Sequence, residues 1–298
     1  MAVTASMVKE LRQRTGAGML DCKKALEAND ANIDKAIEFL REKGLSKAAK
    51  KAGRIAAEGL VKALVKENEA VILEINSETD FVAKTDVFVD YVNEVAEKVL
   101  ASDAKNAEEF LASAWEDGKT ANDVLTEKIA KIGENLSIRR FETINLDGKV
   151  AASYTHMGGK IGVVLIADGE NNDANKEALK NVAMQIAAIN PKYISKEEVD
   201  QNYIESERNI LKQQALNEGK PEAVVEKMVE GRVKKLLKEI CLLDQSYVKD
   251  GDFTVESYLK SVDENLKLVK FFRFETGEGI EKKEENFAEE VAKQMGQK

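Results

Sequence analysis

Proline, cysteine and histidine are scarce in this chain of 298 residues, which holds two prolines, two cysteines and one histidine. Helices can therefore run long without proline breaks. Cys22 and Cys241 lie far apart, fit no metal-ligand spacing and are too few for a disulfide framework. We therefore expect a reducing compartment.

Motifs for covalent chemistry and for nucleotide binding are also missing. The sequence has no phosphate-binding Gly-rich loop before a helix, no paired-cysteine or His-Glu-x-x-His metal motif, and no Gly-x-Ser-x-Gly to accompany His156. The glycine-rich run 158–162 lies inside a predicted hairpin, so it lacks the helix N-terminus that cradles a phosphate. We predict a protein that is not an enzyme, with no cofactor, no metal site and no small-molecule substrate.

Long apolar runs and an excess of positive charge are absent as well. No run approaches the roughly 20 residues that span a bilayer, and the N-terminus lacks the features of a signal peptide. We expect a cytoplasmic protein without a membrane partner. The net charge of −9 argues against direct nucleic-acid readout.

A basic run does occur, and it has two interpretations. It is either the solvated face of a linker helix or a contact with an acidic partner. Its members are Lys43, Lys47, Lys50, Lys51 and Arg54.

The composition, with 6% aromatic residues and many alanines, glutamates and lysines, favours helices with small sheets. Residues 6–15 and 19–28 show helical apolar spacing, and a third helix begins at a cap at Asp30 or Asn32 and ends at Gly44. These predict a three-helix bundle that resembles a ubiquitin-associated domain, although a fold says nothing about ubiquitin binding.

Two strand–turn–strand–helix patterns follow and predict an internal duplication of an α+β unit. The predicted strands occupy residues 60–65, 71–75, 150–155 and 161–167. The helix of the first pattern begins near Thr85. The helix of the second pattern follows its second strand, at 161–167. Further strands are predicted at 136–144 and 266–274.

A long helical hairpin is predicted between Ser195 and Leu243. Ser195 with Glu198 fits a capping box, and Pro221 suits the first turn of the second arm. That arm carries an apolar seam typical of an antiparallel coiled coil. The pattern leaves open whether the hairpin projects or lies on the sheet. Residues 286–295 predict a short C-terminal helix.

Residues 76–82 join a buried strand to a helix and place a carboxylate, Asp80, beside a large aromatic residue, Phe81. We expect a loop here, held by two rigid elements. Phe81 is either a compact wedge for insertion into a partner or a core residue that anchors the loop. Spacing alone does not decide between them.

Four blocks of sequence resemble the elongation factor Ts family, the nucleotide exchange factors of bacterial translation. The blocks stand in the family's order at residues 11–26, 79–82 (Thr-Asp-Phe-Val), 131–140 and 277–282. The chain departs from the family pattern at 243–248, where Ser246-Tyr247 stands in place of the more frequent Pro-Phe.

The resemblance implies a guanine nucleotide exchange factor that binds elongation factor Tu in its GDP-bound and nucleotide-free states. By this resemblance, four residues enter the partner's nucleotide-binding domain and dislodge Mg²⁺, namely Thr79, Asp80, Phe81 and Val82. It also implies partner contacts from the terminal helix and from Arg12, Met19, Leu20 and His156. For His156 the alternative is a solvent-facing turn residue. The other functional class left open is a non-catalytic helical scaffold or adaptor.

Together these observations predict a helix-rich α+β protein. The domains expected are a bundle with linker at 1–55, a first core subdomain at 56–140, a second at 141–276 that includes the coiled-coil hairpin 195–245, and a C-terminal module at 277–298.

Overall fold

The computed structural model describes residues 3–15 and 17–281, and it is a helix-rich α+β protein with two three-stranded antiparallel sheets. The described residues divide into two compact units. The first takes those up to 60, 73–141 and those from 276 on, and the second takes 61–72 and 142–275. Within the described part of the chain, no helix is both long and apolar enough to cross a bilayer. The predicted terminal helix at 286–295 lies outside the described residues.

Three helices open the first unit: α1 (Ala5–Thr15), α2 (Met19–Ala28) and α3 (Ile33–Lys51). Their predicted starts are confirmed within a residue, and the Asn32 side chain caps α3 by accepting from the amide of Lys35. A small apolar core joins them, formed by Leu11, Cys22, Ala25, Leu26 and Ala36.

The predicted end of α3 at Gly44 is wrong, because the helix continues to Lys51. Gly44 is buried where α3 faces helix α7 (Ala121–Ile132), and a Cβ atom on it would lie 3.5 Å from that of Ala130. The glycine therefore permits a close approach of two helices instead of ending one.

The first sheet contains β1 (Glu58–Val65), β2 (Glu69–Ser77) and β3 (Leu136–Asn145), in that order. Between β2 and β3 the chain forms α4 (Asp80–Ala83), α5 (Asp86–Leu100), α6 (Ala107–Ala112) and α7. The predicted apolar face of α5 is buried, and Thr85 is its N-cap. Helices α6 and α7 were not predicted.

The second sheet contains β4 (Val150–His156), β5 (Ile161–Asp168) and β6 (Lys267–Glu275), again with the third strand beside the second. Helix α8 (Asp173–Ile189) and the unpredicted α11 (Val255–Val262) share one apolar core with these strands. Both sheets therefore have the same strand order, and the internal duplication stays a prediction.

The hairpin consists of α9 (Gln201–Asn217) and α10 (Glu222–Ile240), joined by an apolar seam that includes Ala215, Val225, Val229 and Val233. The predicted capping box is wrong. Asp200 caps α9, while Ser195 precedes a separate 3₁₀ turn and makes no side-chain capping bond. Pro221 occupies the N-cap of α10 rather than its first turn.

Several members of the basic run at 43–54 make contacts within their own unit, and these contacts do not decide between the two interpretations of the run. Lys43 pairs with Asp21 at 3.1 Å, and Arg54 pairs with Glu78 at 3.4 Å. The ammonium group of Lys51 donates to the carbonyl oxygen of Gly133. The two acidic residues paired with members of this run, Asp21 and Glu78, belong to the chain itself.

Candidate functional site

The Thr-Asp-Phe-Val segment forms one turn of α-helix, α4, where the sequence predicted a loop. Thr79 is its N-cap, and the Thr79 hydroxyl accepts a 3.3 Å hydrogen bond from the amide of Val82. A threonine N-cap satisfies an amide that would otherwise lack a partner, which stabilises a turn too short to persist by itself. The capped turn therefore holds the backbone of residues 80–83 in one helical conformation.

Phe81 points away from the protein. Its side chain is 78% exposed, the largest fraction among the large hydrophobic residues that the structure describes, while Ala83 on the same turn is buried. The interpretation of Phe81 as a core residue is therefore wrong for the free protein. Water contact with a phenyl ring on a fixed turn is unfavourable, and burial in a partner would remove it.

Asp80 lies beside Phe81 and forms an ion pair with Lys84, one helical turn later, at 2.6 Å. The Asp80 side chain is 41% exposed and the Lys84 side chain 71% exposed. An exposed pair of this kind contributes little to stability, so it can exchange partners at low cost.

Glu134 holds the base of this turn. Its Oε2 accepts from the amide of Thr79 at 3.0 Å, and its Oε1 accepts from the Thr79 hydroxyl at 2.7 Å. Sequence reasoning did not identify Glu134 as a site residue. The available signal was its position in one of the four resemblance blocks.

Two further exposed apolar residues lie on the three-helix bundle. Met19 and Leu20 form the first turn of α2 and are 58% and 75% exposed. Arg12 on α1 is also exposed. These three predicted contacts lie in the same unit as Phe81, and their partner role stays a prediction.

His156 belongs to the second unit. It is the last residue of β4, half-buried, with Nδ1 2.9 Å from the hydroxyl of Tyr154. Its neighbour Met157 has φ 50° and is 69% exposed. His156 is thus a strand-end residue held by a tyrosine, and its predicted contact with a partner is not tested.

The block 131–140 also supplies two arginines that meet a buried carboxylate. Glu74 on β2 is fully buried, with Arg139 Nη1 at 3.0 Å and Arg140 Nε at 2.6 Å. Burial acts to raise the pKa of this carboxyl. Hydrogen bonds from the Gly277 amide, Asn76 and the two arginines outweigh burial and lower the pKa below its ordinary value.

Within the described residues, no group of three or more His, Cys, Asp or Glu side chains is arranged to hold a metal ion. The described geometry around Thr79–Val82 is that of an exposed aromatic residue on a capped helical turn.

Comparison with known proteins identifies the family. The family model for elongation factor TS matches residues 78–278, more than half of the chain. The chain belongs to the elongation factor Ts family. A protein named Elongation factor Ts from Clostridium novyi (strain NT) is 53% identical over 305 residues, which cover 99% of this chain and all of that protein. Membership of the elongation factor Ts family supports a role in translation elongation.

Proposed function

We propose that this chain is a guanine nucleotide exchange factor that binds elongation factor Tu, displaces Mg²⁺ from it and accelerates release of GDP. The single observation that carries the proposal is the 78% exposure of Phe81 on a capped helical turn beside Asp80. A core residue would be buried, and an unstructured loop would not hold an aromatic ring in one direction.

The proposed mechanism is physical displacement. Phe81 inserts between helices of the partner's nucleotide-binding domain, with Thr79, Asp80 and Val82 at the edge of the insertion. This disturbs the region that holds Mg²⁺, and the metal bridges the phosphates to the protein. Loss of the metal contact removes much of the nucleotide's affinity. No covalent bond is made or broken by this chain.

The coupling between factor and nucleotide is negative, and it must be reciprocal. Each tenfold loss of nucleotide affinity requires about 1.4 kcal/mol of differential binding, so a thousandfold effect requires roughly 4 kcal/mol. One buried aromatic anchor supplies about 2–4 kcal/mol. A broader interface is therefore needed, and Arg12, Met19, Leu20 and His156 are its proposed further contacts.

The chain is proposed to bind elongation factor Tu in both its GDP-bound and its nucleotide-free forms. It is not proposed to read nucleic acid directly. This assigns the chain to the cytoplasm, where translation occurs.

The test is stopped-flow release of labelled GDP from elongation factor Tu with and without this chain. We expect the release rate to rise with the concentration of the chain and then saturate. Calorimetry should give tighter binding to nucleotide-free Tu than to Tu·GDP. A helical scaffold would bind both forms equally and leave the release rate unchanged.

A further inference from the structure

Glu78 and Glu134 connect the segment before the Phe81 turn to the segment before β3 by two reciprocal hydrogen bonds. Each carboxylate accepts a hydrogen bond from the backbone amide of the residue that follows the other. Glu78 Oε1 accepts from the amide of Asn135 at 2.6 Å, and Glu134 Oε2 accepts from the amide of Thr79 at 3.0 Å. We call this pair of contacts the carboxylate clasp.

Further bonds connect the clasp to its surroundings. Arg54 pairs with Glu78 at 3.4 Å, and the side-chain amide of Asn135 donates to the carbonyl oxygen of Arg54 at 2.8 Å. The hydroxyl of Ser77 donates to the carbonyl oxygen of Thr79 at 2.9 Å. The end of β2, the end of the linker after α3 and the start of β3 are thus tied together directly below the turn.

The Thr79 hydroxyl transmits this restraint to the turn. It donates to Glu134 Oε1 at 2.7 Å and accepts from the Val82 amide at 3.3 Å. The carboxylate therefore fixes the rotamer in which the hydroxyl oxygen faces the Val82 amide. A single four-residue helical turn has no cooperative stability of its own, so its direction depends on these bonds.

We propose that Glu134 is a positioning residue for nucleotide exchange: through Thr79 it holds the turn in the orientation that presents Phe81. This inference rests on the proposed exchange function. Presenting the ring in one direction before binding removes an ordering cost that the complex would otherwise bear. If only a fraction of the free molecules present Phe81 correctly, the apparent affinity falls by that fraction.

The test compares Glu134→Gln and Glu134→Ala with the wild type in steady-state GDP release from elongation factor Tu. We expect KM for Tu·GDP to rise about tenfold in the alanine variant, since a hydrogen bond to a charged group is lost. The value of kcat should change less than twofold, because Phe81 remains available once bound. The glutamine variant keeps one acceptor oxygen and should lie between the two. Glu142→Gln, an exposed glutamate on β3, is the matched control and should behave like the wild type.

The hydroxyl's part is tested separately. Thr79→Ser keeps the donor and acceptor and should raise KM less than the isosteric Thr79→Val, which should repeat the rise seen in Glu134→Ala. Combining Thr79→Val with Glu134→Ala should add little to either single change, because both remove the same connection.

Amide hydrogen exchange on the free chain separates positioning from general destabilisation. In Glu134→Ala, the amides of Thr79 and Val82 should lose protection while the core amides of β2 keep theirs. Equal loss of protection everywhere, or an unchanged KM in Glu134→Ala, overturns the inference. If the wild-type chain fails to accelerate GDP release, the proposed function itself fails, and the hydrogen-exchange result still reports whether the clasp orders the turn.

Discussion

The backbone amide of Gly277 donates a 2.7 Å hydrogen bond to Oε1 of Glu74, although the two residues are 203 positions apart in the chain. The same carboxylate is surrounded by Arg139 and Arg140, and Arg140 also reaches the carboxylate of Glu278 at 3.1 Å. The last described segment is thus attached to strand β2 through one buried acid. None of the four resemblance blocks contains Glu74, although two of them supply its partners, so the network is a property of the folded chain.

Substitution of Gly277 by alanine should detach this segment. Gly277 has φ 74°, and a Cβ atom on it would lie 2.2 Å from the carbonyl oxygen of Ala57. We expect the free energy of unfolding to fall by about 2 kcal/mol or more, as strain and overlap add to loss of the Glu74 bond. Urea denaturation measures it. Gly148→Ala is the matched control, since Gly148 has φ 78° with open space around it, and it should cost only about 1 kcal/mol. Equal losses in both variants would show that overlap with Ala57 does not matter.

Glu74→Gln should alter the dependence of stability on acid pH. Because the folded-state pKa of Glu74 lies below its ordinary value of 4.5, its contribution is fully present above pH 4.5. It is lost as the pH falls through the folded-state pKa. At neutral pH the variant should be less stable by about 3 kcal/mol, because it leaves two partly buried arginines without their buried counter-charge. The difference between the two proteins should shrink below pH 4.5, as measured by denaturation midpoints across the acid range. A constant difference at every pH would contradict this assignment.

Asp123 makes a second acid-sensitive contact, between α7 and α3. Its carboxylate accepts from the Thr120 amide in a capping box and pairs with Arg41 at 2.8 Å. The hydrogen bond from the Thr120 backbone, followed by that from Arg41, lowers the Asp123 pKa from 3.8 to about 2. We expect Asp123→Asn to cost about 1 kcal/mol at neutral pH, a difference that disappears as the pH falls from 3.8 toward 2.

The control for Asp123 is another aspartate–arginine pair that involves α3, here between α3 and α1. Asp34 pairs with Arg14 at 3.2 Å but is 86% exposed. Asp34→Asn should change stability by no more than about 0.5 kcal/mol at neutral pH. Chemical denaturation of the two variants side by side isolates the capping and docking role of Asp123.

Most elements that the sequence predicted are those whose burial imposes a period, although α7 buries an apolar face and was still missed. The strands of both hairpins and helices α5, α8 and α10 each bury a continuous apolar face, so their spacing was informative. Helices α6 and α11 have only six and eight residues, too few turns for a clear period. Their N-cap residues, Asn106 and Thr254, could have indicated these helices, but a search for periodic apolar spacing does not consider caps.

The site was predictable only in part, and from family resemblance instead of apolar periodicity. The Thr-Asp-Phe-Val segment came from resemblance, and its exposure required the structure, because a phenylalanine between a strand and a helix is compatible with burial or exposure. The contacts of Glu134 with Thr79 and of Glu78 with Asn135 join residues 55 and 57 positions apart. No local pattern encodes such contacts, since they depend on how β2 and β3 are placed in the sheet.

Phe81→Ala gives the sharpest separation of binding from folding. The ring is 78% exposed in the free protein, so its removal should change the free energy of unfolding by less than about 0.5 kcal/mol. Loss of a buried aromatic anchor in the complex should cost about 2–4 kcal/mol of binding, or roughly 30- to 1000-fold. Asp80→Ala should have a smaller effect on GDP release, because the ring remains.

Phe110→Ala is the matched control for this experiment. Phe110 is 1% exposed and packs edge-on against Trp115 and Phe141, with ring centroids 6.3 and 6.1 Å away. Its removal should destabilise the fold by about 3–5 kcal/mol, while the protein that remains folded should still accelerate GDP release. Melting temperature and GDP release are measured on the same preparations of both variants. The opposite pairing, a Phe81 variant that melts early but exchanges normally while folded, would reject insertion of Phe81 into the partner, because the ring would then serve the fold alone.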